Sequence, residues 1–187
     1  MRHIIPILTF LVAAHGALAA QPELPSCPPP MEFATRKAEL MAELKETRSA
    51  ADGLYLTRYL AEIFATAPNR AAQDMLSQAM TRRQQDDLAG ATAALDGLIA
   101  YCPAFAEGYH QRAMIRRARG DLAGALADLD LALDRAPDHL GAMASKAQVL
   151  VELGRFADGR AQRDAVLRMN PWMPERFVDL DIPGVAL

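Results

Sequence analysis

Cysteine, tryptophan, histidine and unbalanced charge are all scarce in this sequence, and each scarcity excludes something. The 187 residues include two cysteines and one tryptophan, and aromatic residues make up 6%. So few aromatics, with alanine and leucine abundant, disfavour a β-sandwich and favour helices packed through small contacts. The formal net charge is −3, which leaves no electrostatic footprint for nucleic acid or for an acidic membrane surface. Cys27 and Cys102 stand too far apart for a CxxC redox or zinc motif. Beyond the N-terminal segment only His110 and His139 remain, and no His/Cys/Asp group shows metal-ligand spacing. No phosphate-binding glycine loop and no GxSxG elbow occurs. Asp128, Asp130 and Asp134 share one helical stretch, as charges on a solvated face do. The expectation is a protein without catalytic set, metal, cofactor or small-molecule substrate. An enzyme working through His110 and His139 is the alternative.

Long apolar runs are missing too. The longest, Ile4 to Ala14, falls short of the about 20 residues needed to cross a bilayer. It follows the basic start Arg2-His3 and precedes Ala17-Leu18-Ala19, small residues at the two positions a signal peptidase reads. Residues 1–20 are therefore expected to be a signal peptide cleaved near Ala19 or Ala20. The short, alanine-rich form suggests a bacterial source and a periplasmic destination. A membrane association is expected only if the segment stays uncleaved. Leu24 precedes Cys27 much as in a lipoprotein box, but Pro25 and the polar Gln21–Glu23 separate it from the apolar run. In an oxidising compartment Cys27 and Cys102 can pair, stapling the leader to the rest of the chain; two free thiols are the alternative.

Against these absences stands an abundance of order. Residues 21–30 hold five prolines and read as an extended linker. Phe33, Lys37, Leu40, Met41 and Leu44 follow at helical spacing to about Ala50. After the breaker Asp52-Gly53, a second helix is expected from Leu54 to Ala65. Beyond Pro68-Asn69 the sequence repeats itself. GDLAGALADLDLALDRAP at 120–137 matches DDLAGATAALDGLIAYCP at 86–103 at half its positions. Pro103, Pro137 and Pro171 recur every 34 residues, as do Ala79, Ala113 and Ala147. Asp86, Gly120 and Gly154 keep the same period, and so do Leu88, Leu122 and Phe156. Small residues suit close helix crossings, the Asp/Gly position suits a turn, and the proline ends a helix. Three units result, at 72–105, 106–139 and 140–173, each a helix hairpin with an apolar face that only a neighbour can bury.

These columns resemble the tetratricopeptide repeat, in its small exported bacterial type. In the best copy the residues carrying the resemblance are Tyr109, Ala113, Gly120, Leu122, Ala125 and Pro137. Departures are Asp86 in the place of a glycine and Gly159 in the place of an alanine. The resemblance implies an all-α, right-handed α-solenoid of three stacked hairpins. It also implies a concave groove, lined by the first helix of each unit, that holds a peptide or helix of a protein partner. The groove positions are Leu76, His110 and Ala144; Met80, Met114 and Gln148; Arg83, Arg117 and Val151. The methionines would form an adaptable apolar floor, and Arg83 with Arg117 would grip a carboxylate. Relatives that clamp chaperone tails carry Lys and Asn where this sequence has Leu76, His110, Met80 and Met114, so that specificity does not transfer.

Where the family keeps a leucine, this chain has Gln78, Arg112 and Lys146. A buried arginine needs a partner. Asp128, on the second helix of the same hairpin, is the expected one, and neutral Ala94 stands in the matching place opposite Gln78. The helical pair at 31–71 is either a cap or a decayed fourth repeat, with Lys45 where the alanine column would fall. The tail 174–187 follows Trp172, and with Phe177, Val178 and Leu180 it either folds back over the array or leaves an apolar edge for a partner. The functional expectation is an adaptor or assembly factor acting by groove binding; a structural subunit joined through the C-terminal edge is the rival.

Overall fold

The computed structural model describes residues 26–29 and 33–173, and among them are eight α-helices and no strand. The expected signal peptide, most of the linker and the tail lie outside the described residues. Six helices form three successive hairpins. They are α3 (Arg70–Gln84) with α4 (Leu88–Tyr101), α5 (Ala106–Ala118) with α6 (Leu122–Arg135), and α7 (Leu140–Glu152) with α8 (Phe156–Met169). Neighbouring hairpins stack through α4 on α5 and α6 on α7, giving the α-solenoid.

The periodic residues do mechanical work at each turn. Ala79, Ala113 and Ala147 are 0%, 1% and 3% exposed, held where the paired helices cross. Asp86, Gly120 and Gly154 take left-handed backbone, with φ of 60°, 80° and 75°. Glycine adopts that conformation freely, and aspartate is among the few other residues that tolerate it. The next residue caps the following helix. Asp87 accepts the Gly90 amide and Asp121 the Gly124 amide, whereas Arg155 makes no side-chain cap. At the units' ends, Cys102, Ala136 and Asn170 have ψ of 71°, 85° and 96°, outside the helical range that a following proline disfavours. Gly159 departs from alanine for a steric reason. A Cβ there would lie 2.6 Å from Val151 Cγ2 and 3.0 Å from the Ala147 carbonyl oxygen.

The N-terminal pair differs from its sequence reading in boundary and in placement. Helix α1 runs Ala34–Glu46 and α2 runs Ala50–Ala65, so the break falls at Thr47–Ser49 rather than at Asp52-Gly53. Ser49 caps α2 by accepting the Asp52 amide, and Asp52 sits in the first turn, where its charge suits the helix dipole. Gly53 belongs inside α2 because the Trp172 ring packs against it; a Cβ would meet the indole Cγ at 2.2 Å. Leu40, Leu44, Leu56, Leu60 and Ile63 share one core with Leu140, Met143, Ala144, Val166 and Met173. The pair thus lies beside the second and third repeats, on the side of their closing turns. Polar ties reinforce the contact, with Lys37 on Asp138 at 2.6 Å and Asn170 donating to Thr57 Oγ1 at 2.8 Å.

Candidate functional site

Two places are candidates for functional chemistry: the positions expected to line a groove, and a buried polar cluster around Glu107. Among the expected groove positions the structure separates residues that the sequence grouped. Leu76 is buried in the core of the first repeat with Ala72, Ala79, Leu95 and Leu98. Ala144 is buried in the core shared with the N-terminal pair. Met80 and Met114 are half-buried on adjacent units, and Val151 is half-buried on the third. The two arginines meet different fates. Arg83 is exposed and donates to Gln111 Oε1 at 3.0 Å. Arg117 is held by Glu152, at 2.9 and 3.0 Å from Nε to the two carboxylate oxygens, and by Gln148 Oε1 at 2.6 Å. Arg117 is thus already paired within the repeats, whereas Arg83 is exposed with an uncharged partner.

His110 belongs to the second place. Glu107, one turn earlier on α5, is buried and takes three hydrogen bonds. His110 Nδ1 and His139 Nε2 reach its Oε2 at 3.0 and 2.8 Å, and Gln111 donates to Oε1 at 2.5 Å. His110 Nε2 meets Ser145 Oγ at 3.1 Å. Phe64 of α2 stacks on the His139 ring with centroids 4.3 Å apart, closing the cluster from above. Burial pushes the Glu107 carboxyl up, yet the hydrogen bonds from His110 and His139 outweigh it and hold the group well below the usual carboxylate range.

Glu107, His110 and His139 bring potential metal-ligand atoms within 4.8 Å of one another, a grouping the sequence spacing did not reveal. The hydrogen-bond partners describe a self-contained polar network. His139 caps α7 by accepting the Ala142 amide on Nδ1, so its proton sits on Nε2, the atom facing Glu107. A metal on Nε2 would need the proton moved to Nδ1, costing the helix its cap. With His110 protonated on Nδ1, its Nε2 accepts from the Ser145 hydroxyl. Each side chain then has a hydrogen-bond partner. The signals for this cluster were a carboxylate and a histidine three apart on one helix, and a histidine just before the next.

Arg112 and Asp128 form a second buried polar contact. Arg112 reaches Asp128 through Nε at 2.8 Å and Nη2 at 2.7 Å, and Arg116 adds a third contact at 3.0 Å. Arg112 also reaches the exposed Asp96 at 2.8 Å. Hydrogen bonding to Asp128 raises the guanidinium pKa further against the desolvation of the group, and Asp96 adds to the effect. Lys146 pairs with Asp130 at 2.6 Å. Cys27 and Cys102 form a disulfide with Cα atoms 5.2 Å apart. A cavity of about 430 Å³ opens between the N-terminal pair and the turns before α5 and α7, lined by Phe33, Lys37, Phe64, Phe105 and Arg135. Lys37 there is taken by Asp138, and Arg135 donates to the carbonyl oxygens of Pro103 and Leu131. Among the described residues no helix is long and apolar enough to cross a membrane.

Stacked hairpins of this geometry define a tetratricopeptide-repeat-like fold. Solved structures bear the likeness out. The TPR2B domain of yeast Sti1, in its pHsp70 complex, superposes with a TM-score of 0.51 at 22% identity, covering 52% of this chain and 78% of that one. The first TPR of Spaghetti (RPAP3), bound to the HSP90 peptide SRMEEVD, gives 0.54 at 16% identity, over 56% and 82%. The Arabidopsis OM64 TPR domain gives 0.53 at 18% identity, over 56% and 86%. No protein-family model matches the chain, and no curated protein matches it.

Proposed function

We propose that this chain is an exported adaptor or assembly factor that holds a peptide or helix of a partner protein on its concave face. The observation carrying the reading is that Met80 and Met114 are half-buried at equivalent positions of adjacent repeats, with Arg83 exposed three residues after Met80. Methionine side chains adapt to imprecise apolar partners, and Arg83 supplies one anchor for a carboxylate or carbonyl of the bound segment. The Sti1 and RPAP3 structures, whose printed complexes contain pHsp70 and an HSP90 peptide, support peptide binding by this fold. Arg117, paired with Glu152, would have to share or exchange that partner to join Arg83 in holding a carboxylate.

Export to the periplasm rests on the basic start, the apolar run and Ala17-Leu18-Ala19. The Cys27–Cys102 disulfide supports it, since such bonds persist in oxidising compartments. The test places a photo-crosslinking residue at Met80 or Met114 in the native host and identifies the captured protein. Capture at both positions that is abolished by Arg83→Glu, and survives deletion of residues 174–187, supports the groove. Capture insensitive to Arg83→Glu but lost on the deletion assigns the protein to a larger complex through its C-terminal edge instead. Sequencing the mature N-terminus checks cleavage near Ala19 or Ala20.

A further inference from the structure

The cluster around Glu107 consists of three converging donor atoms with a second layer of polar groups behind them. Glu107 Oε2 lies 3.0 Å from His110 Nδ1 and 2.8 Å from His139 Nε2, and the ligand atoms of the three residues all fall within 4.8 Å of one another. An ion bonded at about 2.0–2.1 Å spaces its ligand atoms about 3.3 Å apart, so the carboxylate need retreat from each ring by only about 0.3–0.5 Å. The outer partners suit such an ion. Gln111 donates to the other carboxylate oxygen, Oε1, and Ser145 Oγ stands 3.1 Å from the far nitrogen of His110. From such positions outer groups orient the carboxylates and imidazoles that bind metals. His139 and Phe64 also line the cavity of about 430 Å³, which gives an ion a path in.

We propose that Glu107, His110 and His139 hold one zinc-like divalent transition ion, which clamps α5 to the start of α7. Two imidazole nitrogens and one carboxylate oxygen suit zinc, copper or nickel, whereas magnesium and calcium prefer oxygen alone. Binding exchanges tautomers of the two neutral rings. The His110 proton passes from Nδ1 to Nε2, where the Ser145 hydroxyl turns to accept it, since a hydroxyl both donates and accepts. The His139 proton passes from Nε2 to Nδ1, and the contact with the Ala142 amide is given up. That contact is 3.3 Å long, against 2.8 and 2.9 Å for the caps from Asp87 and Asp121, so its loss is the smaller one. Three protein ligands leave the remaining position to water, as in zinc sites that keep one position open. Met80, Met114 and Arg83 take no part, so this inference is tested apart from the groove reading.

Titration of the full, oxidised, untagged chain with zinc, after a chelator has stripped it of metal, tests this. One ion should bind per chain with a Kd below about 1 µM, read by competition with a chromophoric chelator, and excess magnesium should leave it in place. His139→Asn removes the imidazole but keeps a residue suited to cap α7, and it should weaken binding at least about hundredfold. Glu107→Gln should do the same. Ser145→Ala, which touches only the outer layer, should weaken binding about tenfold. Helix content by circular dichroism should match the unaltered chain in each variant. No binding to the unaltered chain at about 100 µM zinc overturns the proposal. Binding that survives both His139→Asn and Glu107→Gln also overturns it, because the ion would then sit on other groups such as His3 or His15.

Discussion

At the scale of the residue, two buried carboxylates stabilise this fold in different ways. Asp128 is 1% exposed and faces two arginines. Removing one partner of such a set strands the others, at a cost of about 3 kcal/mol. Asp128→Ala should therefore lower the urea midpoint markedly, whereas Arg112→Leu with Asp128→Leu, which puts an apolar pair in the same space, should recover most of the loss. Equal destabilisation by the single and double variants would count against this account. Glu107 acts through pH. Its folded pKa lies below the ordinary 4.5, so its contribution is present in full above that value and drains away as pH falls toward the folded one. Glu107→Gln should flatten the fall in stability between about pH 4.5 and pH 2, measured as urea midpoints across that range, even though the variant starts less stable. Parallel slopes would assign the acid sensitivity elsewhere. The two sites differ in how far sequence exposes them. Arg112 stands out because it occupies a place where a leucine is usual. Nothing comparable marks Glu107, whose partners come from one turn of α5 and from the cap of α7.

At the scale of the element, the repeat period fixed the hairpins because each column has a local cause: a positive φ, a close crossing, a proline. The N-terminal pair keeps the period only in part, with Asp52 34 residues before Asp86, and one of its features has a distant cause. Gly53 reads as a breaker until Trp172, over a hundred residues away, is found against it. The Thr47–Ser49 break is local, set by the Ser49 side chain accepting the Asp52 amide. The leader is fixed by a third device. Cys102, at the end of α4, holds Cys27 across 75 residues of chain, and Pro29 lies against the cavity beside Phe33. In the chain-entropy account, closing a loop of that length removes about 4 kcal/mol of freedom from the unfolded state. Cys27→Ser with Cys102→Ala should lower the unfolding free energy by up to about that amount. Circular dichroism in urea, with the unaltered protein under oxidising conditions as reference, reads it directly. A loss below about 1 kcal/mol would mean that the unfolded chain is already compact around this link.

At the scale of the molecule, the placement of α1 and α2 decides how the protein comes apart. In a simple repeat array each unit touches only its neighbours, so a local injury spreads from one hairpin to the next. Here the core containing Leu40, Leu56 and Leu60 also contains Leu140, Met143 and Val166. The first repeat keeps a separate core around Leu95 and Leu98. Chain order and mechanical order therefore disagree: α2 precedes α3 in sequence but belongs with α7 and α8 in packing. Leu140 is 3% exposed at the start of α7, and Leu140→Ala removes buried volume at a cost of about 2–5 kcal/mol. Hydrogen exchange in this variant should speed up together in α1, α2 and α7, with α3 and α4 least affected. A decayed repeat stacked ahead of α3 predicts the opposite pattern, because injury in the third unit would then reach the N-terminal pair last. Protection that fails in α5–α8 while α1 and α2 hold would overturn the shared-core view. It would leave the N-terminal pair as an independent cap.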